Sequence, residues 1–128
     1  MRALTEQQIV SLLTDVKAYL NITWHDEDTD RKVVNYIKTS VSYLDGIAGM
    51  ELDYWGDYDF SAIEDVDGDV AEDKMRMSNI GKELLIARCF YLNEKAVDDF
   101  DNNYRGLVVM LYNLARVVKK KEAELVKQ

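Results

Sequence analysis

Apolar residues recur every three or four positions in four separate stretches of this 128-residue chain, and no proline interrupts any of them. This spacing places the apolar side chains of each stretch on one face of an α-helix. Proline would kink or end a helix, so its absence lets every stretch run its full length. A chain of this size has room for one hydrophobic core. We therefore predict an all-α protein with a single domain, residues 1–128, built as a four-helix arrangement.

The first two helices are predicted from their ends as well as from their apolar faces. The first begins with a capping box at Thr5 and closes near Asn21. The second begins in the acidic stretch 26–28, because carboxylates favour the positive end of a helix dipole. It is expected to end at Gly46 or Gly49, since glycine commonly terminates a helix.

The other two helices lie in the second half of the chain. The third is predicted from about Ser78 to Lys95, and residues 84–92 within it are apolar almost all round. A helix that is apolar on every side is usually the most buried one. The fourth is predicted from about Asn103 to Lys121 or beyond.

Residues 51–73, between the second and third helices, contain ten acidic residues and no basic one. The rest of the chain has sixteen bases and fourteen acids, so this segment alone accounts for the net charge of −8. A general nucleic-acid-binding protein needs a clustered basic face, which this distribution does not favour. The sequence instead predicts a long acidic connection carried by a nearly neutral helical scaffold.

Aromatic residues are interleaved with these carboxylates, and a fully solvated loop would not need them. We expect the segment to be an extended arm whose aromatic side chains anchor on a neighbouring subunit while its carboxylates face a channel or a docking surface. Gly56-Asp57 is a candidate hairpin turn. The alternative is that the aromatic side chains fold back onto their own bundle. The candidate anchors are Tyr54, Trp55, Tyr58 and Phe60, and the candidate channel-facing acids are Asp57, Asp59, Glu64, Asp65, Asp67 and Asp69.

The residues that usually build catalytic or metal sites are few. His25 is the only histidine, so one chain contains neither a histidine metal cluster nor a Ser-His-Asp triad. An EF-hand frame starting at Asp65 has Val70 where glycine is required and Arg76 where the last glutamate is required. Cys89 lies in the most apolar part of the third helix, which predicts a buried thiol and fits a reducing compartment. We expect a protein that is not an enzyme, with no catalytic residue, no cofactor and no metal site.

Two smaller features complete the candidates. Lys119, Lys120 and Lys121 form the one cationic cluster. Such a cluster is commonly a solvated helix end, and the functional alternative is docking onto an acidic partner surface. Met75 and Met77 are predicted to be core residues rather than ligands.

Several stretches resemble the head–tail connector family of tailed phages. The opening of that family is similar to VKAYLNI, followed by the acidic turn HDEDTD and the helix VVNYIKTSVSYLDGIAG. Its closing helices are similar to the third helix with its internal Arg88 and to LVVMLYNLARVV, which contains Arg116. The resemblance covers roughly residues 8–118.

The resemblance implies a helical subunit that assembles with copies of itself into a ring, twelve-fold where it sits on the portal. Its expected partners are the portal protein and the next head-completion or tail protein. DNA would pass through the ring without sequence-specific binding. The protein would assemble in the host cytoplasm and then form part of the virion, with no membrane contact.

Two other functions stay open from the residues alone. An acidic DNA-mimic inhibitor would spread carboxylates along one face at phosphate-like spacing, whereas here they cluster in one segment. A small helical regulatory module would carry an acidic segment that orders on Ca²⁺ without forming an EF-hand.

Overall fold

A computed structural model describes residues 2–56 and 69–126, and these residues form five α-helices. The helices are α1 (Glu6–Tyr19), α2 (Glu27–Ala48), α3 (Asp69–Asn93), α4 (Val97–Asn103) and α5 (Arg105–Val126). No strand occurs within the described ranges. The predicted all-α class is confirmed, with four long helices and one short one.

The helices pack around one apolar core to which every helix contributes. α2 and α3 lie against each other, and both α1 and α5 pack on this pair. The short α4 packs against α3 and α5. α3 therefore contacts each of the other helices, which confirms the prediction that its apolar middle belongs to the most buried helix.

Local sequence signals explain the ends of α1 and α2. The Thr5 hydroxyl accepts a hydrogen bond from the Gln8 backbone N–H, and the Gln8 side chain accepts one from the Thr5 backbone N–H. This is the predicted capping box. After α1, Asn21 adopts a left-handed φ of 59°. α2 ends at Gly49, whose φ of 67° is the left-handed conformation that glycine adopts without a steric penalty.

The start of α3 differs from the prediction. α3 begins at Asp69, nine residues before the predicted start at Ser78, so residues 69–73 are helical and do not belong to a connection. The short α4 was not predicted. It is separated from α3 by Lys95, which has a φ of 57°. Left-handed φ is rare in residues other than glycine and asparagine, so the lysine gave no signal of a break there.

The two methionines near the start of α3 have different environments. Met77 is buried in the core as predicted, whereas Met75 is 51% exposed and its assignment to the core was wrong. Two positions separate these residues, so the helix turns their side chains to opposite sides. Across the described residues, no helix combines the length and apolar character needed to cross a bilayer.

Candidate functional site

The beginning of the acidic segment folds back onto the bundle. Tyr54 has no exposed surface, and its hydroxyl donates a hydrogen bond to Asp45 Oδ1 over 2.8 Å. The backbone N–H of Leu52 donates to the same oxygen over 3.0 Å. Burial, together with the nearby Asp45 carboxyl, raises the pKa of Tyr54 above its ordinary value. The tyrosine therefore stays protonated and acts as a donor.

Arg2 closes this arrangement from the N-terminal side. Its guanidinium lies 5.4 Å from the ring of Tyr54 and 5.3 Å from the ring of Trp55, within the range of cation–π attraction. Its Nε is 3.3 Å from Asp45 Oδ2. The indole N–H of Trp55 donates to the Gln8 backbone carbonyl over 3.0 Å. We call Arg2, Asp45, Tyr54 and Trp55 the N-terminal clasp.

The carboxyl at the centre of the clasp has a perturbed pKa. Burial raises the pKa of Asp45 above its ordinary value, because desolvation penalises the charged form. The hydrogen bonds from Leu52 and Tyr54 and the charge of Arg2 oppose that shift, but they do not cancel it. The clasp therefore holds a carboxyl that is protonated more readily in the folded chain than in the unfolded one.

The clasp changes the interpretation of the predicted anchors. Tyr54 packs inside its own chain, so its side chain offers no surface to a neighbouring subunit, and the expectation of an anchor there is corrected. Trp55 is partly buried against α1, and its role toward a partner stays a prediction. The other two candidate anchors, Tyr58 and Phe60, lie outside the described residues. So do the candidate channel-facing acids Asp57, Asp59, Glu64, Asp65 and Asp67, of which Asp57 is also the second residue of the predicted hairpin turn. Asp69, the last of the predicted channel-facing acids, is the first residue of α3.

The three clustered lysines occupy three different environments. Lys121 Nζ lies 3.0 Å from Asp73 Oδ2 and so joins α5 to the first turns of α3. Lys119 is exposed and its ammonium lies against Gly49, at the end of α2 where the helix dipole is negative. Lys120 is exposed on the outer side of α5. The predicted docking cluster is thus partly used within the chain, and Lys120 is the member best placed to meet a partner.

The turn between α1 and α2 is organised by one buried lysine. Lys17 Nζ donates to the Trp24 backbone carbonyl over 2.9 Å and to Asp30 Oδ1 over 2.7 Å. The lysine side chain is only 9% exposed, whereas that of Asp30 is 30% exposed. This turn contains the VKAYLNI and HDEDTD stretches. The sequence carried no signal that Lys17 would be buried, because one partner lies in the turn and the other in the next helix.

A polar cluster lies between α2 and α3. Cys89 is fully buried, and its Sγ is 3.8 Å from Ser40 Oγ, which also accepts a hydrogen bond from Arg88 over 3.3 Å. Burial raises the pKa of the Cys89 thiol to about 11. This confirms the predicted buried thiol, which is unreactive because the thiolate is the nucleophilic form. The Arg88 guanidinium lies 4.4 Å from the ring of Tyr43.

Within the described ranges, no group of three His, Cys, Asp or Glu side chains is arranged to hold a metal ion. A groove of about 400 Å³ lies between α1, α3 and the end of α4, and Tyr19 and Tyr104 are among its lining residues. Its lining is mainly apolar, with Lys82 and Glu83 as its charged residues. Such a groove suits packing of an apolar side chain better than acid–base chemistry.

The surface most clearly missed by the sequence reasoning is the outer side of α5. Leu111, Ala115 and Val118 face the core, yet further apolar residues of this helix are exposed. Val109 is 49% exposed, Met110 is 47% exposed and Val117 is 42% exposed. We define the outer stripe as the exposed residues that line two adjoining shallow grooves along this side: Gly106, Val109, Met110, Asn113, Arg116, Val117 and Lys120. The available signal was that Val109 and Met110 lie about two helical turns before Val117, on a side offset from the core face.

No protein-family model matches the chain, and no curated protein or solved structure matches it either.

Proposed function

We propose that this chain is a structural subunit of a head–tail connector from a tailed phage or prophage. Copies of it form a ring beneath the portal, extend the DNA channel and provide the surface on which the next head-completion or tail protein docks. The proposal starts from the resemblance of roughly residues 8–118 to that family. Its support in the chain is a helical bundle of the implied class.

The observation that carries the proposal is the turn between α1 and α2. Two of the stretches that resemble the connector family meet there. One buried lysine of α1 donates hydrogen bonds to the turn and to α2. Lys17 and Asp30 belong to the quoted VKAYLNI and HDEDTD stretches, and Val16 beside them has no exposed surface. Removing one partner of the Lys17–Asp30 pair is costly, so the VKAYLNI and HDEDTD stretches depend on each other for the stability of this turn.

The mechanism of such a subunit is geometric and electrostatic. A ring closes when head-to-tail contacts between identical subunits rotate through a full turn. Carboxylates facing the channel repel the phosphates of DNA, so the duplex slides without binding. The candidate channel-facing acids would supply this lining: Asp57, Asp59, Glu64, Asp65, Asp67 and Asp69.

Docking onto the portal would use the C-terminal part of α5. Lys120 is exposed there, whereas Lys121 is paired with Asp73. Charges at the rim of an interface act mainly on the association rate and on its salt dependence. A Lys120→Glu variant should therefore keep the fold and bind the portal more slowly at low salt.

The test is co-expression with the portal protein encoded in the same genome, followed by purification through a tag on the portal. The proposal predicts that this chain is retained in a fixed ratio to portal subunits, and that the genes for the portal, the capsid protein and a tail-completion protein lie nearby. A genome without a portal gene, or a portal that retains none of this chain, would contradict it. An Arg31→Glu variant, altered at an exposed residue of α2, is the matched control for Lys120→Glu.

A further inference from the structure

We propose that the outer stripe of α5 docks against the same stripe of a second copy of this chain, with the two helices antiparallel about a two-fold axis at Asn113. The stripe consists of exposed residues of one long helix. Contiguous exposed apolar surface of this kind marks interaction sites in soluble proteins.

The positions of the stripe residues along α5 are symmetric about Asn113. In an antiparallel pair centred on Asn113, Val109 faces Val117 of the partner copy and Met110 faces Arg116. Gly106 faces Lys120. The smallest stripe residue therefore meets a long one, and the valines meet each other. The members fall on heptad-like positions three, four and seven residues apart, which is the spacing of helix pairs that pack along a seam.

Gly106 has no packing role within its own chain. A Cβ added there would meet nothing within 4 Å, and its backbone does not need the left-handed conformation. Glycine in a helix interior costs about 1 kcal/mol relative to alanine, and in the first turn of α5 Gly106 still gains no helix stability from its lack of a side chain. In the pair, the missing side chain of Gly106 leaves room for the aliphatic part of the partner copy's Lys120 side chain.

Asn113 gives the pair its register. On the two-fold axis its amide meets the same amide of the second copy, and each can donate one hydrogen bond and accept another. A single polar residue in such a seam selects alignment and partner number at some cost in stability.

Charge also favours a second copy as the occupant. Residues 104–121 contain five basic residues and no acid. α4 lies next to the start of α5 and carries the exposed carboxylates Asp98 and Asp99. Antiparallel packing brings the basic end of each α5 toward the acidic α4 of the other copy. Arg105 would register against Lys121, but that ammonium is turned toward Asp73 of its own chain.

A two-fold contact joins two chains and then stops, so it differs from the contact that closes a ring. Both contacts use Lys120, so the dimer is a form of the free chain that portal docking would displace. The measurement below uses the free chain without the portal, so either proposal can fail without the other.

The test measures self-association of the full chain by analytical ultracentrifugation, up to about 1 mM, the weak end of specific affinity. The expected result for the wild type is a monomer–dimer equilibrium that weakens as salt is added. Val109→Asp should raise the dissociation constant by more than about tenfold, because it places a carboxylate in the apolar centre of the contact. Val10→Asp is the matched control, since Val10 is 53% exposed but lies on α1; it should leave the dimer unchanged.

Two further variants test the register. Gly106→Leu should also weaken the dimer, while the monomer keeps its helix content and unfolding midpoint, since leucine is the better helix former. Asn113→Cys should form a disulfide or a short-linker dimer with itself, whereas Val10→Cys should not; the native Cys89 is buried and does not compete. A monomer at every concentration, an oligomer larger than a dimer, or a dimer that Val109→Asp and Gly106→Leu leave intact would overturn the proposal.

Discussion

Tyr54 lies wholly inside the bundle and donates a hydrogen bond to Asp45 over 2.8 Å. Asp45 belongs to the last turn of α2, and Tyr54 follows it by nine residues. The pair therefore fixes the direction in which the acidic segment leaves α2.

Replacing Tyr54 by phenylalanine should lower the free energy of unfolding by about 1.5–3 kcal/mol, the cost of losing a hydrogen bond to a charged acceptor. The ring still fills its place in the core, so the loss is confined to the hydroxyl. Urea denaturation followed by circular dichroism measures the difference. Tyr112→Phe, at a residue that is 46% exposed, is the control and should change stability by less than about 0.5 kcal/mol. Equal effects at the two positions would contradict the clasp.

The pKa of Asp45 predicts a pH dependence of stability. Because its pKa is raised above the ordinary value of 3.8, the folded state binds the proton more tightly than the unfolded state does. Its stabilising contribution is fully present below pH 3.8 and is lost as the pH rises through the folded pKa. The stability difference between the wild type and Asp45→Asn should therefore shrink as the pH rises above 3.8. Denaturation curves at several pH values measure this, and a difference that grows with pH would contradict the direction of the shift.

Lys17→Met tests the turn between α1 and α2. The substitution keeps the aliphatic volume but leaves the Trp24 carbonyl and the Asp30 carboxylate without their donor. We expect a loss of about 1–3 kcal/mol, less than for a fully buried pair because Asp30 can be rehydrated. Lys32→Met, on the exposed side of α2, is the matched control and should be nearly neutral. Thermal denaturation compares the unfolding midpoints of the two variants. An equally small change in the midpoint for both would contradict a stabilising role of Lys17 in this turn.

Two glycines at the end of α2 should respond in opposite ways to alanine. Gly46 lies in the helix with open space around an added Cβ, so Gly46→Ala should stabilise the protein by about 0.5–1 kcal/mol. Gly49 has a φ of 67°, and an added Cβ would meet the Lys119 ammonium. Gly49→Ala should therefore destabilise by about 1–2 kcal/mol. Unfolding free energies measured on both variants check the signs, and the same sign at both positions would contradict the description of the helix end.

The parts of the fold that the sequence predicted are those set by neighbouring residues. The capping box at Thr5 and the left-handed glycine at position 49 depend on side chains and backbone within one turn. The start of α3 depends on distant residues. Its first turns are rich in acids and lack a continuous apolar face, and they are joined to α5 by the pairs Asp73–Lys121 and Lys74–Glu122. Contacts between residues nearly fifty positions apart leave no periodic signal.

The candidate site was predicted less completely for the same reason. The aromatic residues of 51–73 were recognised as needing a surface, but whether that surface was their own bundle depended on Asp45 and Arg2. The outer stripe was overlooked because Leu107, Leu111, Leu114 and Val118 already supplied a sufficient core face for α5. Val109, Met110 and Val117 then looked like the scattered exposed apolar residues that any protein carries.

Imaging of the complex with the portal is the most direct test of the proposed connector function. The portal encoded in the same genome is purified with this chain bound and is examined by single-particle electron microscopy. A connector subunit should appear as a closed ring of this chain, coaxial with the portal and with the same rotational symmetry, around a continuous channel. A portal without additional density beneath it, or this chain bound as single copies away from the channel axis, would contradict the assignment as a connector subunit.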